Sequence, residues 1–167
     1  MQAAAKQMLA QGAGGSIINI SSVAQFAAQE HAAPYCASKA GLDGLTKALT
    51  EGGTAHVVFD AITPDAPIPL IEKGIAFYAR HHCDAIVAFG GGSSMDASKA
   101  IAVSISNPKP LRQLAGYLKG LRAPVKIYAV PTTAGTGSEV TVAAVISDPE
   151  NHKKLVLVDP RMVPKMA

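Results

Sequence analysis

Short apolar runs alternate along this chain with segments whose apolar residues recur at helical spacing. The runs at 16–21, 55–60, 85–89 and 126–131 are β-branched or continuously apolar and end at glycine, proline or polar residues. That pattern predicts buried strands. Between them, helices are predicted over 35–50, 71–82, 94–106 and 111–119; in the first of these Ala40, Leu42, Leu45, Ala48 and Leu49 make the apolar face. Residues 1–11 favour a further helix, stopped by Gly12, Gly14 and Gly15. The runs at 142–146 and 154–158, joined through Asp148-Pro149-Glu150-Asn151, predict a C-terminal β-hairpin. Alternating strands and helices imply an α/β fold built on a parallel sheet with helices on both faces.

In such sheets ligands sit at the carboxyl ends of the strands. Three features fall there: Asp60, the glycine turn at 90–94, and the small-residue loop at 132–138. Gly90, Gly91 and Gly92 carry no Cβ, so an anion can approach the backbone closely. The helix that follows offers free N–H groups and the positive end of its dipole. Ser93 is a candidate N-cap. The turn therefore reads as a nucleotide-phosphate site.

Composition narrows the field. At 167 residues with 49% apolar content, the chain is expected to form one domain, or one domain with an appendage, with a well-packed core. Aromatics make up 5% and Trp is absent, which disfavours base-stacking platforms and nucleic-acid binding, and a net charge of +3 adds no case for it. Lys99, Lys109, Arg112, Lys119, Arg122 and Lys126 form a basic run read as a solvated face. Asp96 and Lys99 read as a solvated pair, with Asp96 alternatively supporting the glycine turn, and Glu139 as a surface acid. Cys36 and Cys83 lack metal or redox spacing and fit thiols of a reducing cytoplasm. His31, His56, His81, His82 and His152 form no ligand set, so no metal is expected. Residues 1–11 do not read as a signal peptide and no run approaches a membrane span, so a cytoplasmic location is expected.

Two resemblances then appear. Residues 1 to about 50 resemble the catalytic segment of short-chain dehydrogenase/reductases, through Gly-Gly-Ser-Ile-Ile-Asn-Ile-Ser-Ser at 14–22 and Tyr-Cys-Ala-Ser-Lys at 35–39. The resemblance implies Tyr35 as general acid/base, Lys39 lowering its pKa and reaching the cofactor ribose, Ser22 polarising the substrate oxygen, and Asn19 as an accessory residue. Residues from about 54 to 167 resemble the nucleotide-binding domain of iron-containing (group III) alcohol dehydrogenases. The matching pieces are Val-Val-Phe-Asp (57–60), Gly-Gly-Gly-Ser-Ser-Met-Asp-Ala-Ser-Lys (90–99), Pro-Thr-Thr-Ala-Gly-Thr-Gly-Ser-Glu-Val-Thr (131–141) and Val-Asp-Pro-Arg-Met-Val-Pro (158–164). This second resemblance implies a Rossmann-like sheet that binds NAD(H), with Gly90, Gly91, Gly92 and Ser93 on the pyrophosphate. Thr132, Thr133 and Thr136 would line the adenosine and nicotinamide region, and Asp60 would contact the adenine ribose and favour NAD over NADP.

The departures shape the expected function. The glycine-rich half of a short-chain dehydrogenase and the helical, metal-binding domain of an iron-dependent one are both expected to be missing. The reading is a single chimeric domain of dehydrogenase ancestry over 1–167, joined between Gly41 and Thr54, engineered or selected, with a natural fusion or a misassembled gene as the lesser alternative. Weak or no oxidoreductase activity is expected, with a dinucleotide as partner and no membrane. The alternatives are a ligand-free scaffold, homo-oligomeric through the surface a lost domain exposes, and a minimal short-chain-type carbonyl reductase using Ser22, Tyr35 and Lys39.

Overall fold

The computed structural model describes residues 17–20, 41, 44, 46–48, 51 and 55–165. Four short apolar runs pair in parallel: β1 (Ile17–Ile20), β2 (His56–Phe59), β3 (Ala85–Gly90) and β5 (Lys126–Pro131), in the order β2-β1-β3-β5. β1 occupies the middle, with Ile18 opposite Val57 on one side and Ile86 on the other. Crossovers place helices against this sheet, giving the Rossmann-like α/β fold. Residues 41, 44, 46–48 and 51 are helical, as the spacing over 35–50 implied, but Ala48 is exposed rather than on a buried face.

Helix α1 spans Ile68–Arg80 and starts earlier than the apolar spacing suggested. Pro69 falls in its first turn, where a missing N–H costs nothing, so the proline-rich stretch opens the helix instead of preceding it. His82, with φ of +51°, lies past its end. Helix α2 spans Gly92–Ser106 and is buried on nearly all sides: Ala97, Ala100, Ala102 and Ser98 are each fully enclosed. Its small side chains let two layers approach it at once. Ser98 Oγ and Ser104 Oγ donate to the carbonyls of Ser94 (2.7 Å) and Ala100 (2.8 Å), so burying them leaves no orphan hydroxyl. α1 packs on α2 where Gly74 faces Ile101. A buried Ile contributes about 1.5–3 kcal/mol.

The predicted helix over 111–119 is cut short. Helix α3 covers Leu111–Leu114, and the chain then extends as β4 (Gly116–Tyr117), pairing with the end of the hairpin. Gly116 at φ +105° makes that change of direction available. The hairpin itself, β6 (Ala143–Asp148) and β7 (Lys153–Val158), is antiparallel with Val145 opposite Val156. It does not extend the parallel sheet. With β4 it forms a second sheet, β4-β7-β6, laid against α2.

Candidate functional site

The glycine turn closes β3 and opens α2. Gly90 has φ of +154°, which favours glycine, and its carbonyl accepts the Thr132 N–H at 3.0 Å. Gly91 is the N-cap of α2, and no side chain caps the helix. Ser93, expected at that position, lies inside the first turn instead, because the helix begins one residue after Gly91. The N-terminal N–H groups therefore face the turn without a side-chain acceptor.

Glycine is needed here for closeness. A Cβ on Gly91 would stand 2.8 Å from Thr133 Oγ1, and one on Gly92 would stand 3.4 Å from Ser138 Oγ and Thr136 Cγ2. The loop bearing Thr132, Thr133 and Thr136 thus lies directly against the glycine turn. Thr133 and Thr136 are exposed, whereas Thr132 is half-buried with its Oγ1 enclosed and unpartnered. Ile62, Thr63 and Pro64, from the loop after β2, join Gly91, Gly92, Ser93 and Ser94 around a cleft of about 120 Å³. Asp60, half-buried, begins that same loop. The structure therefore brings Asp60, Gly90–Ser93 and the threonine loop to one end of the sheet. Asn19 lies in β1, opposite Val58 and Val87. Ser22, Tyr35 and Lys39 lie outside the described residues.

The loop after β2 is anchored by the second sheet. Ser147 N donates to the carbonyls of Asp65 (3.0 Å) and Ala66 (3.3 Å), and Lys154 pairs with Asp65 at 2.9 Å. Asp65 and Ala66 hold φ of +62° and +36°, strain that this anchoring sustains. Asp96 and Lys99 are not a solvated pair. Lys99 is wholly buried, and its Nζ donates to Thr141 O (2.7 Å), Thr141 Oγ1 (3.0 Å) and Ala143 O (3.0 Å). Asp96 Oδ2 accepts the Val145 N–H at 3.1 Å. Burial lowers the Lys99 pKa, opposed by the charges of Asp96 and Glu139, and it raises that of Asp96, opposed by Val145 N–H, Lys99 and Ser138. Glu139 is no surface acid: it is half-buried, with Oε2 enclosed and unpartnered. Sequence patterns missed the wall formed by Ile62, Thr63 and Pro64, although three prolines within a few residues of Asp60 marked a constrained loop.

The N-terminus of α2, capped by no side chain and lining the cleft with Gly92, Ser93 and Ser94, suits a bound dinucleotide phosphate. A metal is different: among the described residues no three His, Cys, Asp or Glu side chains converge, so these residues supply no ligand set for iron. Among the described residues no helix is long and apolar enough to cross a membrane.

Comparison with known proteins bears on the family and the fold. The family model for iron-containing alcohol dehydrogenase matches residues 14–167. Lactaldehyde reductase of Escherichia coli K12 is 36% identical over 125 residues, which is 74% of this chain and 33% of that enzyme. The crystal structure of a 1,3-propanediol oxidoreductase superposes with a TM-score of 0.80 at 29% identity, covering 97% of this chain and 39% of that one. The sulfoacetaldehyde reductase of Bifidobacterium kashiwanohense, solved in complex with NAD+, gives a TM-score of 0.75 at 27% identity, over 97% of this chain and 40% of that one. This chain therefore spans about a third of the length of the curated relatives it matches.

Proposed function

The chain belongs to the iron-containing alcohol dehydrogenase family, and we propose that its described α/β part is a unit for binding NAD(H). The pyrophosphate would rest on Gly90, Gly91, Gly92 and Ser93, Asp60 would face the adenine ribose, and Thr132, Thr133 and Thr136 would line the adenosine and nicotinamide side. The observation that carries this is the N-terminus of α2, which no side chain caps and whose residues Gly92, Ser93 and Ser94 line the cleft with Gly91. When bound, the cofactor supplies hydride chemistry; the chain's own part is to hold and orient it. The described part by itself would have weak or no oxidoreductase activity. Fluorescence titration with NADH tests the reading. A saturable change, tighter for NADH than for NADPH, is expected, and no saturable change at millimolar NADH would reject it.

A second reading concerns residues 1 to about 50 as a grafted short-chain-type segment. The pieces Gly-Gly-Ser-Ile-Ile-Asn-Ile-Ser-Ser at 14–22 and Tyr-Cys-Ala-Ser-Lys at 35–39 support it, while the match to the iron-containing alcohol dehydrogenase model reaches back to residue 14. In this reading Tyr35, Lys39 and Ser22 act on a carbonyl substrate. Loss of any carbonyl reduction in Tyr35→Phe is expected, and unchanged turnover in that variant would remove the reading.

A further inference from the structure

We propose that Lys99 is a positioning residue for the cofactor cleft, a buried post that sets the height of the threonine loop above the glycine turn. The proposal rests on the dinucleotide reading of that cleft. Lys99 stands two turns into α2, whose first residues form the glycine turn. All three of its ammonium protons go to one short stretch: the Thr141 carbonyl, the Thr141 hydroxyl and the Ala143 carbonyl. That stretch is where the loop at 132–138 runs into β6.

The saturation of Lys99 decides its role. With no exposure and no proton left to donate, it cannot touch a ligand, so it acts through what it holds. Enclosing an ammonium among main-chain oxygens is costly unless every proton is placed, and a group so placed tolerates very little displacement of its acceptors. An apolar residue would fill the same space without selecting a register between helix and loop.

Neighbouring contacts make the register matter. Asp96, one turn earlier on α2, takes the Val145 N–H, so helix and β6 are fixed at a second point. β6 continues to Ser147, whose N–H holds the Asp65 and Ala66 carbonyls of the loop that forms the far wall of the cleft. A shift of β6 relative to α2 would therefore move both the threonine loop and the Ile62–Pro64 wall. Thr133 packs so closely on Gly91 that no Cβ fits between them, so a small shift of the loop alters this contact beside the cleft.

The test combines amide hydrogen exchange with NADH titration on the full chain, comparing wild type with Lys99→Met, Thr141→Val and Thr141→Ser. Thr141 is exposed, so its variants spare the core if Lys99→Met fails to fold. In Lys99→Met, exchange across 132–145 should quicken roughly ten- to hundredfold, the range set by losing charge-assisted hydrogen bonds, while β3 and α1 keep their protection. The NADH dissociation constant should rise in parallel. Thr141→Val should show a smaller effect of the same kind, and Thr141→Ser, which restores the hydroxyl, should return to wild type. Unchanged exchange over 132–145, or equal loosening everywhere, would overturn the positioning role. Absence of NADH binding in the wild type would defeat the cofactor reading, and the exchange arm would still decide the role of Lys99.

Discussion

The contact between the glycine turn and the threonine loop can be tested without any ligand. Gly91 has φ of −87° and ψ of −166°, a conformation alanine adopts freely, so Gly91→Ala brings no backbone strain. Its cost is steric: the new methyl would meet Thr133 Oγ1 at 2.8 Å, while Thr133 Cβ, at 3.5 Å, is in ordinary contact. Thr133 must leave its position, at a cost of about 0.5–1.5 kcal/mol for a distorted rotamer. Thr133→Ala removes the offending oxygen and keeps the harmless Cβ. In a double-mutant cycle the two changes should therefore couple by about 1 kcal/mol, the double variant being more stable than the sum of the single effects. Cap preference and unfolded-chain entropy change equally in both backgrounds and cancel. Urea denaturation of the four proteins, with slopes compared, measures the coupling. Additivity to within about 0.3 kcal/mol would refute the close approach of the two loops.

Other perturbations reach the scaffold. Gly74→Ala would place its Cβ 2.4 Å from Ile101 Cδ1 in the α1–α2 seam, where Ile101 is 1% exposed. Overpacking of about 1–3 kcal/mol should outweigh the gain of up to about 1 kcal/mol in helix propensity, and a variant more stable than wild type would contradict this packing. Stability should also fall in alkali. Burial, with the nearby Asp84, pushes the Cys83 thiol up to about 11, and burial, with Cys83 and Asp84, pushes the Tyr78 hydroxyl up to about 12. Both are raised above the ordinary values of 9.0 and 10.0, so their protonated forms stabilise the fold below about pH 9 and that contribution is lost as pH rises towards 11 and 12. A urea midpoint that stays level from pH 8 to 11 would count against it. Arg112 makes a bidentate pair with Asp148, which is 2% exposed, and holds its carboxyl below the usual carboxylate range. Arg112→Ala should lower the thermal midpoint at neutral pH, and the gap to wild type should close as pH falls below about 4. A gap that persists in acid would show that the pair is not its source.

Periodicity found the strands because each is short, apolar and ended by a turn residue; the run at 126–131 coincides with β5. The glycine turn and the threonine loop were legible as motifs, since closeness to a backbone demands glycine and small polar residues. Lys99 was misread for a physical reason. Helical patterns assume one buried face, whereas α2 lies between the parallel sheet and the hairpin, and its alanines and serines carry no sign of the second layer. The Ile62–Pro64 wall was hidden because its place depends on Ser147 and Lys154, more than eighty residues away. At Leu111–Tyr117 a helical pattern lost to pairing with β7, a tertiary contact that no local spacing encodes.

The position of β1 has a kinetic meaning. Among the described strands, β1 precedes both of its neighbours in the sheet, β2 and β3. A ribosome making about 5–20 residues per second takes several seconds to pass from Ile20 to the end of β3 at Gly90. Until β2 is complete at Phe59 the strand has neither of its described partners, and its other edge stays open until β3 follows. Every early contact in the sheet must then be made across long stretches of chain, the most demanding kind of closure for a folding polypeptide. Slow folding and self-association during synthesis are the natural hazards of such an arrangement, and synthesis at low temperature or with a chaperone that shields strand edges is the remedy its topology calls for.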